Sequence, residues 1–362
     1  MSETNASLDR LIVEQEKPKP PLRLRSLGNV RPQKIEWLWP DRIAVGKQTI
    51  IAGEPGLGKS QLTCWLAAQV SNGSEWPDGR GCAPKGSVII LSAEDDIADT
   101  IVPRLDAVDA DRSKIHVIEG TNDGERMRGF NLQADLRHLE EAICKIGDVR
   151  LIVIDPISSY LGRVDSHKNA ELRAVLEPLG QLASRNRVAI VSVTHLNKGA
   201  RKSALNSVVG SIGFVAVARA AYLIARDPND KDRRLFLLMK NNLGRDDGGL
   251  GFIVGAVETQ DGILAPRAFF DDLPVTMTAN DVLAAAGEGD TSAPVRSEAE
   301  ALLQEVLATG PQPVSDIKRE ASEAGIGWRT IQRAKESLGV TSAKGGIDGG
   351  WVWQLPQGRQ AF

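Results

Sequence analysis

The sequence predicts an α/β fold, with a mostly parallel sheet flanked by helices and a smaller unit behind it. Between residues 48 and 265, short apolar runs alternate with amphipathic stretches, the pattern of repeated βαβ units. The first run, QTIIAG, passes through a glycine-rich turn straight into a helical pattern. Beyond residue 271 the alternation gives way to small, polar, Gly and Pro residues (AAAGEGDTSAP), which marks a domain boundary. A chain of 362 residues suits roughly two domains. With 42% apolar and 25% charged residues it reads as an ordinary globular protein, neither disordered nor membrane-spanning.

Residues 1–34 are polar and proline-rich, with no period that would bury a face, and read as a flexible tail. The first domain covers residues 35–274. Its strand QTIIAG leads into a helix from Lys59, and SVIILSAED into a helix over 97–108. KIHVIEG precedes a helix over about 132–146, LIVID precedes one over 170–184, and VAIVSVTH completes the series. AAYLIAR, RLFLLMKNN and GLGFIVGAVET, joined by Gly, Asp and Asn turns, are expected to extend the sheet as antiparallel strands. Residues 275–296 read as a linker. The second unit, 297–362, has helical patterns over 299–307, 314–324 and 328–338 and a glycine-rich hairpin, AKGGIDGGWVW.

Cys64, Cys82 and Cys144 share no C-x-x-C spacing and leave one thiol unpaired under any disulfide scheme, so a reducing compartment is expected and a zinc site is not. The first twenty residues lack the apolar run of a signal peptide. The longest apolar stretch, 214–225, is far shorter than the about 20 residues of a bilayer span. The expected location is the cytoplasm, with no membrane partner.

The turn Gly53-Glu54-Pro55-Gly56-Leu57-Gly58-Lys59-Ser60, with Gln61 behind it, satisfies G-x-x-x-x-G-K-[ST] between a strand and a helix. Such a loop curls its N–H groups around a β-phosphate, and the helix N-terminus adds positive potential. Lys59 then spans the β- and γ-phosphates, and the Ser60 hydroxyl ligates Mg²⁺. ATP and Mg²⁺ are the expected ligands. LIVID ends in Asp155, a carboxylate suited to the magnesium side of the site. SVIILSA ends in Glu94-Asp95-Asp96: Glu94 is the candidate base for the attacking water, whereas the two aspartates suit caps for the next helix.

The order of these segments, followed by VTHLNK, GSIGFVAVARAAYL and MKNNLG, resembles the RecA/DnaB branch of ring-forming ATPases, particularly RepA-type replicative helicases of plasmids and phages. The resemblance covers residues 35–265 and implies a RecA-like P-loop core, a homo-oligomeric ring, commonly a hexamer, and single-stranded DNA as partner. It implies that Lys59 and Ser60 hold phosphate and magnesium, that Glu94 activates water, and that Asp155 supports magnesium. His195 would sense the γ-phosphate, and Arg219 would be a finger supplied to the neighbouring subunit's nucleotide. Lys240, the candidate for a second trans-acting finger, opens a K-x-N-x-G segment like the family's, although Asn242 stands where DnaB proteins have Arg. Read from the residues alone, His195 is also compatible with a buried structural role, and Arg219 with an internal salt bridge.

The formal charge of −3 gives no chain-wide attraction to nucleic acid, so any contact must be local. Between positions 198 and 245 ten Lys and Arg face three Asp. NKGARKSALN, with Lys198, Arg201 and Lys202, follows His195 where RecA-like proteins have a DNA-contacting loop; a solvated charged loop is the alternative. Residues 165–169 read either as a second pore-side loop or as a helix-capping one. Trp37-Leu38-Trp39-Pro40 offers an indole to stack on adenine or to pack on the sheet. The second unit resembles a winged helix whose third helix carries Arg329, Arg333 and Lys335 as DNA-binding candidates; a protein-docking wing is the other reading. The function expected is an ATP-hydrolysing, ring-forming motor on single-stranded DNA, with a non-translocating ATP-dependent switch as the alternative.

Overall fold

The computed structural model describes residues 24–122, 124, 126–162, 164, 169–196, 212–245, 248–289, 292–308, 310–324, 326, 328–344 and 351–356. The described residues up to Ile35, 24–35, belong to a unit separate from the rest, and in them Leu27–Asn29 makes a single 3₁₀ turn.

In the remainder, Trp37–Trp39 (β1) and Ile43–Ala44 (β2) pair antiparallel ahead of Gln48–Gly53 (β3) and Lys59–Asn72 (α1). Ser87–Ser92 (β4) leads through a π turn, Ile97–Ile101, into Val102–Ala107 (α2), and Ile115–Val117 is β5. Thr121–Asn122 (β6) and Met127–Arg128 (β7) form a small ribbon before Leu136–Ile146 (α3). Val149–Asp155 (β8), Asn169–Asn186 (α4), Ala189–His195 (β9) and Ile212–Val217 (α5) follow. Ala220–Arg226 (β10), Arg233–Asn241 (β11), Gly249–Glu258 (β12) and Leu264–Val275 (β13) close the first domain.

Among the described residues nine strands form one sheet in the order β13-β12-β11-β10-β3-β9-β8-β4-β5. The expected parallel core is present: β3 pairs parallel with β9, β9 with β8, β8 with β4 and β4 with β5. One expectation needs correction. AAYLIAR is not antiparallel, because β10 lies parallel to β3, and the reversal begins at β11. The α5 crossover delivers β10 in the parallel sense, whereas the short turns after it force antiparallel neighbours. Pro266 and Pro274 sit on β13, an edge strand, where a missing N–H leaves no internal ladder broken.

Helix α1 differs from the amphipathic helix expected after Lys59. Leu62, Trp65, Leu66, Ala67, Ala68 and Val70 are all buried, so nearly its whole circumference is packed. Gly73, at φ +73°, stops it by turning its N–H onto the Gln69 carbonyl at 2.9 Å. Leu38 and Trp39 are fully buried. Trp39 stacks on Trp76 with centroids 4.6 Å apart and donates its indole N–H to Asp78 at 3.1 Å, so it packs the core and is unavailable to adenine. On the opposite face α4 turns Leu172, Val175, Leu176, Leu179 and Leu182 inward at helical spacing. The cysteines are free thiols; burial pushes that of Cys64 up to about 12. No described helix is long and apolar enough to cross a membrane.

The span expected as a linker, 275–296, carries structure of its own. Ala279–Gly289 forms α6, and Ala279 and Val282 are buried in a cluster with Leu223, Leu235 and Leu237 of β10 and β11. Its small residues read as linker composition, yet Ala279 and Val282 are enough to seat it on the sheet. Ser292–Leu307 (α7), Gln312–Pro313 (β14), Val314–Glu323 (α8), Trp328–Ser337 (α9), Thr341–Lys344 (β15) and Trp351–Gln354 (β16) follow. They make three helices around their own core of Leu303, Ile317, Ile331 and Trp353, with a sheet ordered β14-β16-β15.

One buried charge fixes the entry to α3. Asp135 accepts from both terminal nitrogens of Arg128 at 2.7 Å and from the Asn131 N–H at 2.8 Å, and these bonds pull its carboxyl down to about 2. A depressed folded-state pKa stabilises above the ordinary aspartate range, and that contribution is lost as pH falls through about 2. Arg128 is partly solvated, which reduces the effect, so Asp135→Asn should cost about 1–2 kcal/mol in urea titrations at pH 7. The gap between variant and wild type should narrow as pH falls from about 4 toward 2.

Candidate nucleotide site

Parallel pairing aligns four strand ends along one edge of the sheet. Gly53 pairs with His195, and Asp155 with Ser92 just before Glu94, so the phosphate loop, both acids and the imidazole come from neighbouring carboxyl ends. They line a cleft of about 330 Å³.

The loop itself has left-handed backbone at Gly56 (φ +76°) and Gly58 (φ +85°), with Leu57 buried between them as its anchor. The Gly58 carbonyl accepts the first helical bond, from Leu62 N at 2.9 Å, so α1 begins where the loop ends. Lys59 is only 6% exposed, and its ammonium donates to the carbonyls of Gly53 at 3.0 Å and Glu54 at 2.7 Å. Burial lowers its pKa, and the charges of Asp155, Glu94 and Glu54 oppose that shift. Burial raises Asp155 to about 6, although the Ser60 hydroxyl donates to it and Lys59 lies nearby. His195 is held below its ordinary value by burial and by the Lys59 charge. Its Nδ1 is buried without a hydrogen-bond partner among the described residues, an unmet polar atom at the wall of the cleft. Glu94 is exposed there, whereas Pro55 and Gln61 flank the loop.

The two aspartates beside Glu94 divide their duties. Asp96 caps the π turn, accepting from Ala98 N at 2.7 Å and Asp99 N at 3.2 Å. Asp95, expected as a second cap, instead pairs with Arg104 at 2.5 Å, and both line the cleft. Arg104, Arg234 and Val254 are cleft residues that no sequence motif marks. Each belongs to an ordinary amphipathic segment, and long-range pairing of β11 and β12 brings in the latter two. The run of basic residues between positions 198 and 245 is the one hint of Arg234 in the sequence.

Arg219 lies at the other end of the sheet. Its N–H donates to the Gln48 carbonyl at the start of β3, about 17 Å from Gly53 at the strand rise of about 3.3 Å. Its side chain is exposed and has no ion pair among the described residues. Lys240 is adjacent but occupied. Its ammonium donates to the Val215 and Ala218 carbonyls at 2.7 and 2.9 Å, capping α5, and burial and the Arg219 charge lower its pKa. Lys198, Arg201 and Lys202 lie outside the described residues, as do positions 165–168. Arg329, Arg333 and Lys335 fall on α9. Lys335 is drawn inward, donating to the Ser342 hydroxyl at 2.6 Å with its nitrogen 4.7 Å from the Trp353 ring centre.

The loop's backbone conformation makes a paired prediction. A Cβ on Gly56 would meet nothing within 4 Å, whereas one on Gly58 would come within 3.0 Å of Val254 Cγ2. Gly56→Ala should therefore cost only the left-handed backbone penalty, about 1–2 kcal/mol. Gly58→Ala should cost more and should weaken MgATP binding at least about tenfold, as read by denaturation and calorimetry.

A protein family described as the AAA domain matches residues 14–201, just over half of the chain. No curated protein matches the sequence. Among solved structures, one described as the ATPase domain of G40P matches at 13% identity and a TM-score of 0.43, covering 60% of this chain and 84% of that one, a likeness too slight to assign any residue. The family match spans the phosphate loop, Glu94, Asp155 and His195, and the sheet carries them in RecA-like order. The chain belongs to the AAA domain family, as a P-loop ATPase with a RecA-like core.

Proposed function

We propose that this chain is an ATP-hydrolysing motor that closes into a homo-oligomeric ring, a hexamer in the manner of RepA-type replicative helicases, and moves along single-stranded DNA. The position of Arg219 carries the reading: an exposed guanidinium with no ion pair among the described residues, one strand length from its own phosphate loop, suits a site on the next copy.

Within one copy, residues 53–61 would hold the triphosphate, with Lys59 offsetting charge on the β- and γ-phosphates. Ser60 and Asp155 offer hydroxyl and carboxylate oxygens, the hard donors that suit Mg²⁺, which when bound would neutralise charge developing between those phosphates. Glu94, exposed at the cleft, would orient the attacking water and accept its proton. His195, kept neutral, would hydrogen-bond the γ-phosphate through a ring nitrogen and report its departure to the segment after β9. That segment contains Lys198, Arg201 and Lys202, which would track the DNA backbone without reading bases. The C-terminal helices and hairpin are read as a winged helix, with Arg329 and Arg333 as its phosphate contacts and Lys335 bracing its wing.

Mixing two inactive variants tests the trans arrangement. Arg219→Ala should lower ATP turnover about 10³-fold or more while leaving MgATP affinity within a few fold. Lys59→Ala should also be inactive. Combined, they should regain activity, because a mixed interface unites an intact loop with an intact Arg219; failure to regain it would contradict the reading. A forked duplex separates a motor from a switch, since the motor displaces a strand and a switch hydrolyses ATP without doing so. Alanine at Lys198, Arg201 and Lys202 together should remove stimulation of ATPase by single-stranded DNA, and unchanged stimulation would refute that assignment.

A further inference from the structure

We infer that Arg234 is a nucleotide-binding residue acting in its own copy, donating to the inner phosphates of the bound nucleotide, the α-phosphate first, and so setting affinity for ATP and ADP alike. The inference rests on the ATPase reading of the cleft.

Arg233 and Arg234 are neighbours with opposite circumstances. Arg233 is committed to two carboxylates, Asp227 at 2.7 Å and Asp271 at 2.6 Å. Arg234, pointing to the other face of β11, lines the cleft with no carboxylate partner among the described residues. Its one side-chain hydrogen bond among the described residues runs from Nη1 to the Asp232 carbonyl, whereas Nε is shut away from solvent with no acceptor among those residues. A buried guanidinium N–H without an acceptor is costly unless something anionic meets it. Register sharpens the point. Arg234 lies directly opposite Arg226 on β10, and Arg226 donates to the Lys231 carbonyl rather than to a carboxylate. Like charges facing each other across a ladder destabilise it, and an oxyanion on Arg234 relieves that repulsion.

Topology says which part of the nucleotide is within reach. Glu94, Asp155 and His195 come from β4, β8 and β9, on one side of β3, where on the proposed reading the γ-phosphate lies. Arg234 and Val254 come from β11 and β12 on the other side, and Val254 packs against Gly58 at the end of the phosphate loop. Four strand spacings, about 19 Å, separate the β8 and β11 backbones. A nucleotide lying along the loop with its γ-phosphate toward the acids turns its inner phosphates toward Arg234.

Calorimetric titration of wild type, Arg234→Gln and Arg234→Ala with MgADP, MgATP and magnesium tripolyphosphate tests the assignment, with thermal melting to verify folding. Affinity for MgADP and MgATP should fall together, about 10- to 100-fold, the loss expected for a hydrogen bond to a charged group, and tripolyphosphate should weaken with them. Variants within twofold of wild type for both nucleotides would overturn the inference. A loss confined to MgATP would make the contact γ-directed, and a loss for both nucleotides that spares tripolyphosphate would move it to base or ribose; either outcome overturns the assignment. Should the alanine variant fail to fold, Arg234→Gln, which keeps most of the bulk, decides the matter. A wild type that binds neither nucleotide would instead remove the ATPase reading itself.

Discussion

The parallel pairing of β3 with β9 on one side and β10 on the other is the constraint on which the other arrangements depend. It sends every chain in this part of the sheet in one direction. Loops with chemical groups therefore gather at the carboxyl edge, and the residue that precedes β10 falls at the amino edge. Gly53 and Arg219 are held one strand apart by the same ladder that brings Gly53 beside His195. The separation is not a matter of side-chain choice. A one-residue slip in register would turn the buried sequence QTIIAG face for face, which both apolar layers oppose.

Burial does the electrostatic tuning at the loaded edge. Lys59, Asp155 and His195 are each shifted by desolvation in the direction of the uncharged form, and each is partly held back by a neighbour of opposite charge. The result is a cleft whose acids and bases depend on one another, with Asp95 and Arg104 as a neutralised pair at its border. A group that enters with several negative oxygens meets Lys59, Arg234 and the loop N–H groups together. The C-terminal unit shows the opposite economy, since Lys335 and Lys318 lie over Trp353 and Trp328, so part of its basic character is engaged in holding the unit together.

Features encoded by contiguous residues are legible in the chain's own pattern. The phosphate loop, Glu94, Asp155 and His195 each end an apolar run, and a run that ends in a polar residue announces both the strand and its edge. The direction of β10 is not legible in this way, because a strand's sense depends on the crossover before it, and the short helix α5 that precedes β10 is hidden within the apolar stretch 214–225. The buried role of α6 is hidden because only Ala279 and Val282 carry it, too few apolar positions to stand out in a stretch whose composition reads as a linker. Arg234 and Val254 are invisible for a deeper reason: their place in the cleft depends on which strands pair across the sheet, information carried by no local pattern. Trp39 shows the converse, a residue whose chemistry permits base stacking but whose neighbours Trp76 and Asp78 commit it to the core.

On the proposed reading, one copy carries two half-sites at opposite edges of the sheet, the phosphate loop at one and Arg219 at the other, and a neighbouring copy completes each. The most direct measurement is specific ATPase activity as a function of protein concentration, with assembly followed in parallel by sedimentation. Activity per chain should be near zero where the protein sediments as a monomer and should rise in step with assembly. Full activity per chain, unchanged on dilution into the monomeric range, would contradict the account.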